Sequence, residues 1–270
     1  MPHLLFQNKK IFYRTEGKGK PVILLHGFGE DGNIWNRQIN LLKENNSLII
    51  PDIPGSGQSE MLEGKHTIDD YAEVVKAVAD ETIFKNKDSY QSFSLIGHSM
   101  GGYITVAFAE KYPQLLNSFG LFHSSAFADE EQRIATRKKA IDFITKNGSE
   151  TFLKTVIPNL FSNQSKEERP ELIDQLLNIS KNIASEALIQ YYEAMILRPA
   201  RISTLQSFPR PILFIIGKHD TTIPFNLSMQ QCHLPAISSI NILQHSAHIG
   251  MWEEEELSNS ILKKFLEDLI

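Results

Sequence analysis

Ser99 lies in Gly97-His98-Ser99-Met100-Gly101, a G-x-S-x-G pattern whose residue types suit an activated nucleophile. The apolar run Phe93-Ser94-Leu95-Ile96 before it reads as a strand, and Ile104 to Tyr112 after it reads as a helix. A sharp turn between the two would hold Ser99 in a strained backbone conformation, with small residues two positions away on either side. The same turn sets the hydroxyl at a helix N-terminus, whose unpaired N–H groups favour a developing anion. A serine hydroxyl is a poor nucleophile until a base takes its proton, and that base needs a third group to fix its tautomer. A histidine and an acid must therefore reach Ser99 from elsewhere in the chain.

Two further stretches supply candidates. Val22-Ile23-Leu24-Leu25 is an apolar run ending in His26-Gly27-Phe28-Gly29, and Gly217-Lys218-His219-Asp220 and Ser246-Ala247-His248 lie toward the C-terminus. At these residues the chain resembles the α/β-hydrolase superfamily, in its cap-bearing branch of esterases, lactonases and C–C bond hydrolases. The resemblance covers the segments from about 10–123 and 202–270. It implies the chain order serine, acid, histidine. Asp220, with Thr221-Thr222-Ile223-Pro224 completing a D-x-x-x-P pattern, is then the acid, and His248, followed by Glu253 in an H-x-x-x-x-E pattern, is the base. The oxyanion hole is expected from the backbone N–H groups of Phe28 and Met100. Phe28, Ile223 and Ile249 are assigned to the substrate pocket. The resemblance implies no metal and no cofactor.

Rival residues have plainer readings. His245 competes with His248 but lacks its place before Glu253. His26 is expected to brace loop backbone, and the side chain of His98 to be committed by its turn. Asp52, in Asp52-Ile53-Pro54-Gly55, reads as a carboxylate bonded to local N–H groups. A serine at position 99, where an aspartate would be needed, argues against haloalkane dehalogenase and epoxide hydrolase chemistry.

Positioning these groups requires strands that end at one edge. Residues 3–7 and 10–15 read as a hairpin, and Val22–Leu25, Ser47–Ile50, Leu116–Phe122, Ile212–Ile216 and Ser238–Leu243 as further strands. Ile34–Lys43 and a segment from Thr67, an N-cap, to about Phe84 read as helices between them. The expected fold is α/β: a mostly parallel sheet with helices on both faces. Residues 124–201 break the alternation with helical stretches at Asp129–Lys146, Ser149–Ile157, Lys166–Asn178 and Ser185–Met195. The division is a core in two parts, 1–123 and 202–270, around an all-helical cap at 124–201. Phe127, Phe143, Phe152, Phe161 and Met195 are candidates for the inward face of that cap. Glu253 to Glu256 reads as a solvated face opening a C-terminal helix over Glu253–Leu269, not as a metal site.

Composition narrows the partners. The chain has 270 residues, a net charge of −5 and 22% charged residues, so no basic face invites nucleic acid. A lone cysteine, Cys232, excludes an intrachain disulfide and reads as a helix packing residue. With no apolar run of about 18 residues and no signal-peptide pattern, a cytoplasmic location is expected. The expected activity is hydrolysis of a small to medium carboxylic ester through an acyl-enzyme. C–C bond or lactone hydrolysis on the same residues, or a slow-turnover ligand sensor, are the alternatives. Arg198 and Arg201 could bind a substrate carboxylate, although salt bridges are the plainer expectation.

Overall fold

The N-terminal hairpin turns on Gln7 and Asn8, both with positive φ (49° and 63°), the left-handed geometry that matches strand twist. It joins β1 (His3–Phe6) to β2 (Lys9–Glu16), and both run antiparallel to their neighbours. The remaining strands are β3 (Lys20–Leu25), β4 (Asn46–Pro51), β5 (Phe93–His98), β6 (Leu116–Phe122), β7 (Ile212–Gly217) and β8 (Ser238–Leu243). They pair in parallel in the order β4-β3-β5-β6-β7-β8, completing an eight-stranded sheet with β1 and β2 at one edge. This is a computed structural model, and it describes residues 2–85 and 91–267.

The central strands are largely apolar because both faces are covered. Every residue of β5 and β7 is buried. Helices α1 (Asn36–Leu42), α2 (Ile68–Ala79) and α3 (Met100–Lys111) connect the strands of the first half. Thr67 caps α2 as expected: its side chain accepts from the Asp70 N–H, and the Asp70 carboxylate accepts from the Thr67 N–H. Past β7 come α9 (Phe225–Gln231), a short α10 (Gly250–Glu253) and α11 (Glu255–Glu267). The expected helix over Glu253–Leu269 is thus split at Glu254, and its last two residues lie outside the described residues. Cys232 is the buried C-cap of α9.

Between β6 and β7 the chain is helical: α4 (Glu131–Val156), α5 (Asn163–Glu168), α6 (Glu171–Ser180), α7 (Ser185–Leu197) and α8 (Ile202–Ser207). Gly148 breaks α4 with φ 82° and ψ 162°, at the expected stop. The single helix expected over Lys166–Asn178 is two, because Pro170 follows Arg169, whose backbone (φ −141°, ψ 57°) has left the helix. Of the apolar residues expected to face inward, Phe152, Phe161 and Met195 are buried, whereas Phe143 is 38% exposed.

Candidate active site

Strand β5 delivers Ser99 onto a backbone with φ 49° and ψ −115°, a conformation that costs a non-glycine residue about 1–3 kcal/mol. Three fixings hold it. The Ser99 N–H donates to the Phe122 carbonyl (2.9 Å), while its own carbonyl accepts from the Ser124 hydroxyl (2.7 Å) and the Gly102 N–H (2.9 Å). Glycine is required on either side. A Cβ on Gly97 would collide with the Gly101 carbonyl, and one on Gly101 would stand 2.6 Å from the His26 carbonyl.

His248 and Asp220 meet Ser99 from loops at the ends of β8 and β7. The Ser99 hydroxyl lies 2.9 Å from His248 Nε2, and His248 Nδ1 lies 2.7 Å from Asp220 Oδ2. The other carboxylate oxygen, Oδ1, accepts from the N–H groups of Thr222 (2.7 Å) and Ile223 (2.9 Å). Burial alone would raise the Asp220 pKa. The imidazole of His248, by charge and by hydrogen bond, outweighs it together with the Ile223 N–H and holds the carboxyl below its usual range. Asp220 is therefore an anion suited to fixing Nδ1–H on His248 and stabilising an imidazolium.

The other histidines divide as follows. His245 is exposed. His26 accepts at Nε2 from the Ile53 N–H (2.9 Å), bracing one loop against another. His123, not weighed from the sequence, sits 3.6 Å from Asp220. Burial pushes its pKa well below the usual value, so it is neutral, and its Nδ1 accepts from the Gly217 N–H (3.0 Å). Asp52 accepts from the N–H groups of Gly32 and Gln58 (2.8 Å each), as its loop suggested.

The loop His26-Gly27-Phe28-Gly29 is closed by Glu30, whose carboxylate accepts from the Gly27 N–H at 2.8 Å. Among the described residues, neither the Phe28 nor the Met100 N–H donates to an acceptor, so both amides are unspent. Ile223 and Ile249 are buried beside the acid and the base.

A family model described as alpha/beta hydrolase fold matches residues 20–255. The chain belongs to the alpha/beta hydrolase fold family. Among curated proteins it is similar to the dihydrolipoyllysine-residue acetyltransferase component of the acetoin cleaving system of Cupriavidus necator. Identity there is 24% over 94% of this chain, which spans 66% of that relative's length. Among solved structures it is similar to a thermophilic esterase from Thermogutta terrifontis. The TM-score is 0.90 at 23% identity, covering 97% of this chain and 94% of the other. It is also similar to the enol-lactonase of Burkholderia xenovorans, with TM-score 0.89 and 20% identity over 98% of this chain and 100% of the other.

On this alpha/beta hydrolase core the helical insertion bonds to both loops of the site. Ser180 Oγ donates to the Gly29 carbonyl (2.5 Å), and the His248 N–H donates to the Leu160 carbonyl (2.8 Å). Glu253 ties the two sides, accepting from the N–H groups of Ala247 and Ser162 at 2.8 Å each. The expected solvated face is thereby corrected. Glu253 is 5% exposed, and Glu254 accepts from the His245 N–H and the Ser246 hydroxyl. The two carboxylates satisfy the backbone N–H groups of His245 and Ala247.

Above Phe28 the insertion presents aromatic rings. Tyr192 stacks on Phe28 with centroids 4.3 Å apart, and Phe152 meets both edge-on, at 6.4 Å from Phe28 and 6.0 Å from Tyr192. Behind them lies a buried charge cluster that sequence reasoning saw only in part. Asp129 accepts from Arg137 Nε (2.6 Å) and Arg198 Nη2 (2.8 Å). Arg198 lies over the Tyr103 ring at 3.9 Å, and Arg137 over Tyr192 at 5.4 Å. Burying each cation costs several kcal/mol, against about 2 kcal/mol from a desolvated cation–π contact. Asp129 is thus the principal counter-charge. Burial would raise its pKa, but the two guanidiniums prevail and hold it down. Arg201 is a different case, bonded to Asp69 and Glu110, as the salt-bridge reading expected.

Proposed function

We propose that the chain is a serine hydrolase acting on small to medium carboxylic esters, with Ser99 as nucleophile, His248 as base and Asp220 as its orienting acid. The continuous hydrogen-bond chain from Ser99 Oγ through the His248 ring to Asp220, on a strained serine, carries this reading. In the first half-reaction Ser99 Oγ attacks the acyl carbonyl while its proton passes to His248 Nε2. The unspent N–H groups of Phe28 and Met100 receive the oxyanion. His248 then protonates the leaving alkoxide, and a water activated by the same nitrogen releases the acid from the acyl-enzyme. Residues 124–201 act as a cap on a core formed by 1–123 and 202–270. Phe28, Ile223 and Ile249 line the acyl pocket. The aromatic cover over Phe28 favours compact substrates, and a lactone opened by the same three residues is the second reading it supports.

The test is hydrolysis of p-nitrophenyl esters, acetate through laurate, by the wild-type and Ser99→Ala proteins. Turnover with a chain-length optimum, falling about 10⁴–10⁶-fold in kcat without Ser99, is expected. Near-normal turnover by Ser99→Ala would overturn the assignment.

A further inference from the structure

The sequence singled out Arg198 and Arg201 as cations that could meet a substrate carboxylate, and the structure separates them by charge accounting. Arg201 has two carboxylates to itself, Asp69 and Glu110. Arg198 and Arg137 share one. Among the described residues, neither has any other carboxylate within 4.0 Å, and Arg133 approaches the same Asp129 at 3.5 Å. Both shared arginines are 7% exposed. The cluster therefore holds an excess of buried positive charge.

Its hydrogen bonding is equally one-sided. Each guanidinium has five N–H donors and no acceptor. Arg198 gives Nη1 to the Met195 carbonyl and Nη2 to Asp129, while its buried Nε has no partner. Arg137 spends Nε and Nη2 on Asp129, and its Nη1 donates to no described residue. The hydroxyls of Tyr103 and Tyr192, whose rings carry the two guanidiniums, also donate to no described residue. Arg198 Nε is the orphaned buried donor of the cluster, and an anion is the partner that its chemistry suits.

The place of the cluster says which anion. Tyr103 stands one helical turn beyond Ser99 on α3, on the same face. Tyr192 stacks directly on Phe28, whose N–H is assigned to the oxyanion hole. Arg198 thus lies over a ring four residues along the chain from Ser99, and Arg137 over a ring that stacks on Phe28. We propose that Arg137 and Arg198 form an anion subsite, and that the preferred substrate is an ester or lactone whose acyl part carries a second, free carboxylate. Planar guanidiniums suit that group, since each can present two parallel N–H donors to it. This inference rests on the serine-hydrolase reading for its substrate, though not for its binding chemistry.

Two measurements test it. The first compares kcat/KM for monoethyl adipate and monoethyl glutarate with that for their diethyl esters. The wild type is expected to favour the half-esters by tenfold or more, with the preference falling toward unity in Arg137→Gln and Arg198→Gln, chiefly through KM. Arg201→Gln, outside the cluster, is expected to keep the preference. Equal use of half-esters and diesters by the wild type, or a preference that survives in both variants, would overturn the proposal. The second is titration calorimetry of glutarate into the Ser99→Ala protein, which reads the subsite without turnover. Saturable binding weakened at least tenfold by Arg137→Gln supports the subsite even where no ester is hydrolysed, an outcome that would count against the hydrolase reading alone. No glutarate binding would overturn the subsite. Should the Gln variants fail to fold, Arg137→Lys and Arg198→Lys retain the charge without the paired donors, and a weakening of glutarate binding is again expected. Glutarate binding unchanged by the Lys substitutions would reject the paired-donor subsite.

Discussion

Glu30 and His98 form a buried ion pair beside Ser99, with Glu30 Oε2 3.0 Å from His98 Nδ1. The other ring nitrogen, Nε2, donates to the backbone carbonyl of His248 at 2.9 Å. Because Glu30 also accepts from the Gly27 N–H, one contact chain joins the His26–Gly29 loop, the residue before Ser99, and the loop of His248.

This pair has a pH signature. Burial lowers the His98 pKa, but the Glu30 carboxylate more than reverses it, so His98 is raised above 6.5. Burial raises Glu30, but His98 and then the Gly27 N–H hold it below 4.5. The raised histidine contributes its full stability below 6.5 and loses it as pH rises through its native value. The depressed carboxylate contributes fully above 4.5 and loses its share as pH falls through its native value. The pair is thus worth most between those limits. Calorimetric Tm of wild type minus Glu30→Gln is expected to be largest near pH 5.5 and to shrink on the alkaline side. A difference as large throughout the alkaline range as at about pH 5.5 would count against a His98 charge lost on that side.

Gly97→Ala is expected to destabilise by about 1–3 kcal/mol, the range for overpacking a filled site. The new methyl would meet the carbonyl of Gly101, a backbone atom with no rotamer to yield. Urea denaturation measures the cost. Ester turnover should fall along with it, since the turn that presents Ser99 must shift.

Phe152→Ala removes a ring that packs edge-on against both Phe28 and Tyr192. A loss of about 3–5 kcal/mol is expected for a buried phenylalanine. The vacated volume lies beside the proposed acyl pocket. The chain-length optimum in the p-nitrophenyl series should therefore move to longer acids, and an unmoved optimum would place that pocket elsewhere.

Glu253→Gln keeps the size of a side chain whose two carboxylate oxygens each take a buried N–H. The amide retains one acceptor oxygen and turns an NH₂ toward the second donor, which costs about 1–3 kcal/mol for the group left unsatisfied. Reduced kcat with the thermal transition lowered is the expected result, because Ala247 adjoins His248. Kinetics and a melting curve on the same preparation check both.

The candidate site was legible where chemistry is written in local order. Ser99 between two glycines, Asp220 after an apolar strand and His248 before Glu253 each announce themselves within a few residues. Pro170 also marked the break in the insertion, and a stricter reading of proline would have split Lys166–Asn178 there. What stayed hidden depends on contacts distant in sequence. Asp129 meets Arg198 across 69 positions, Glu30 meets His98 across 68, and Ser162 meets Glu253 across 91. The spacing from His248 marks Glu253 among the four carboxylates, but that it is buried and bonded to Ser162 is visible only in the fold.

The helical segment between β6 and β7 shares one hydrogen bond with the His26–Gly29 loop, from Ser180 to Gly29, and another with His248, whose N–H donates to Leu160. A displacement carrying both Ser180 and Leu160 away from the sheet would break both bonds. If Ser99 and His248 act as proposed, admitting a ligand by that route and disturbing the reacting groups would be a single event.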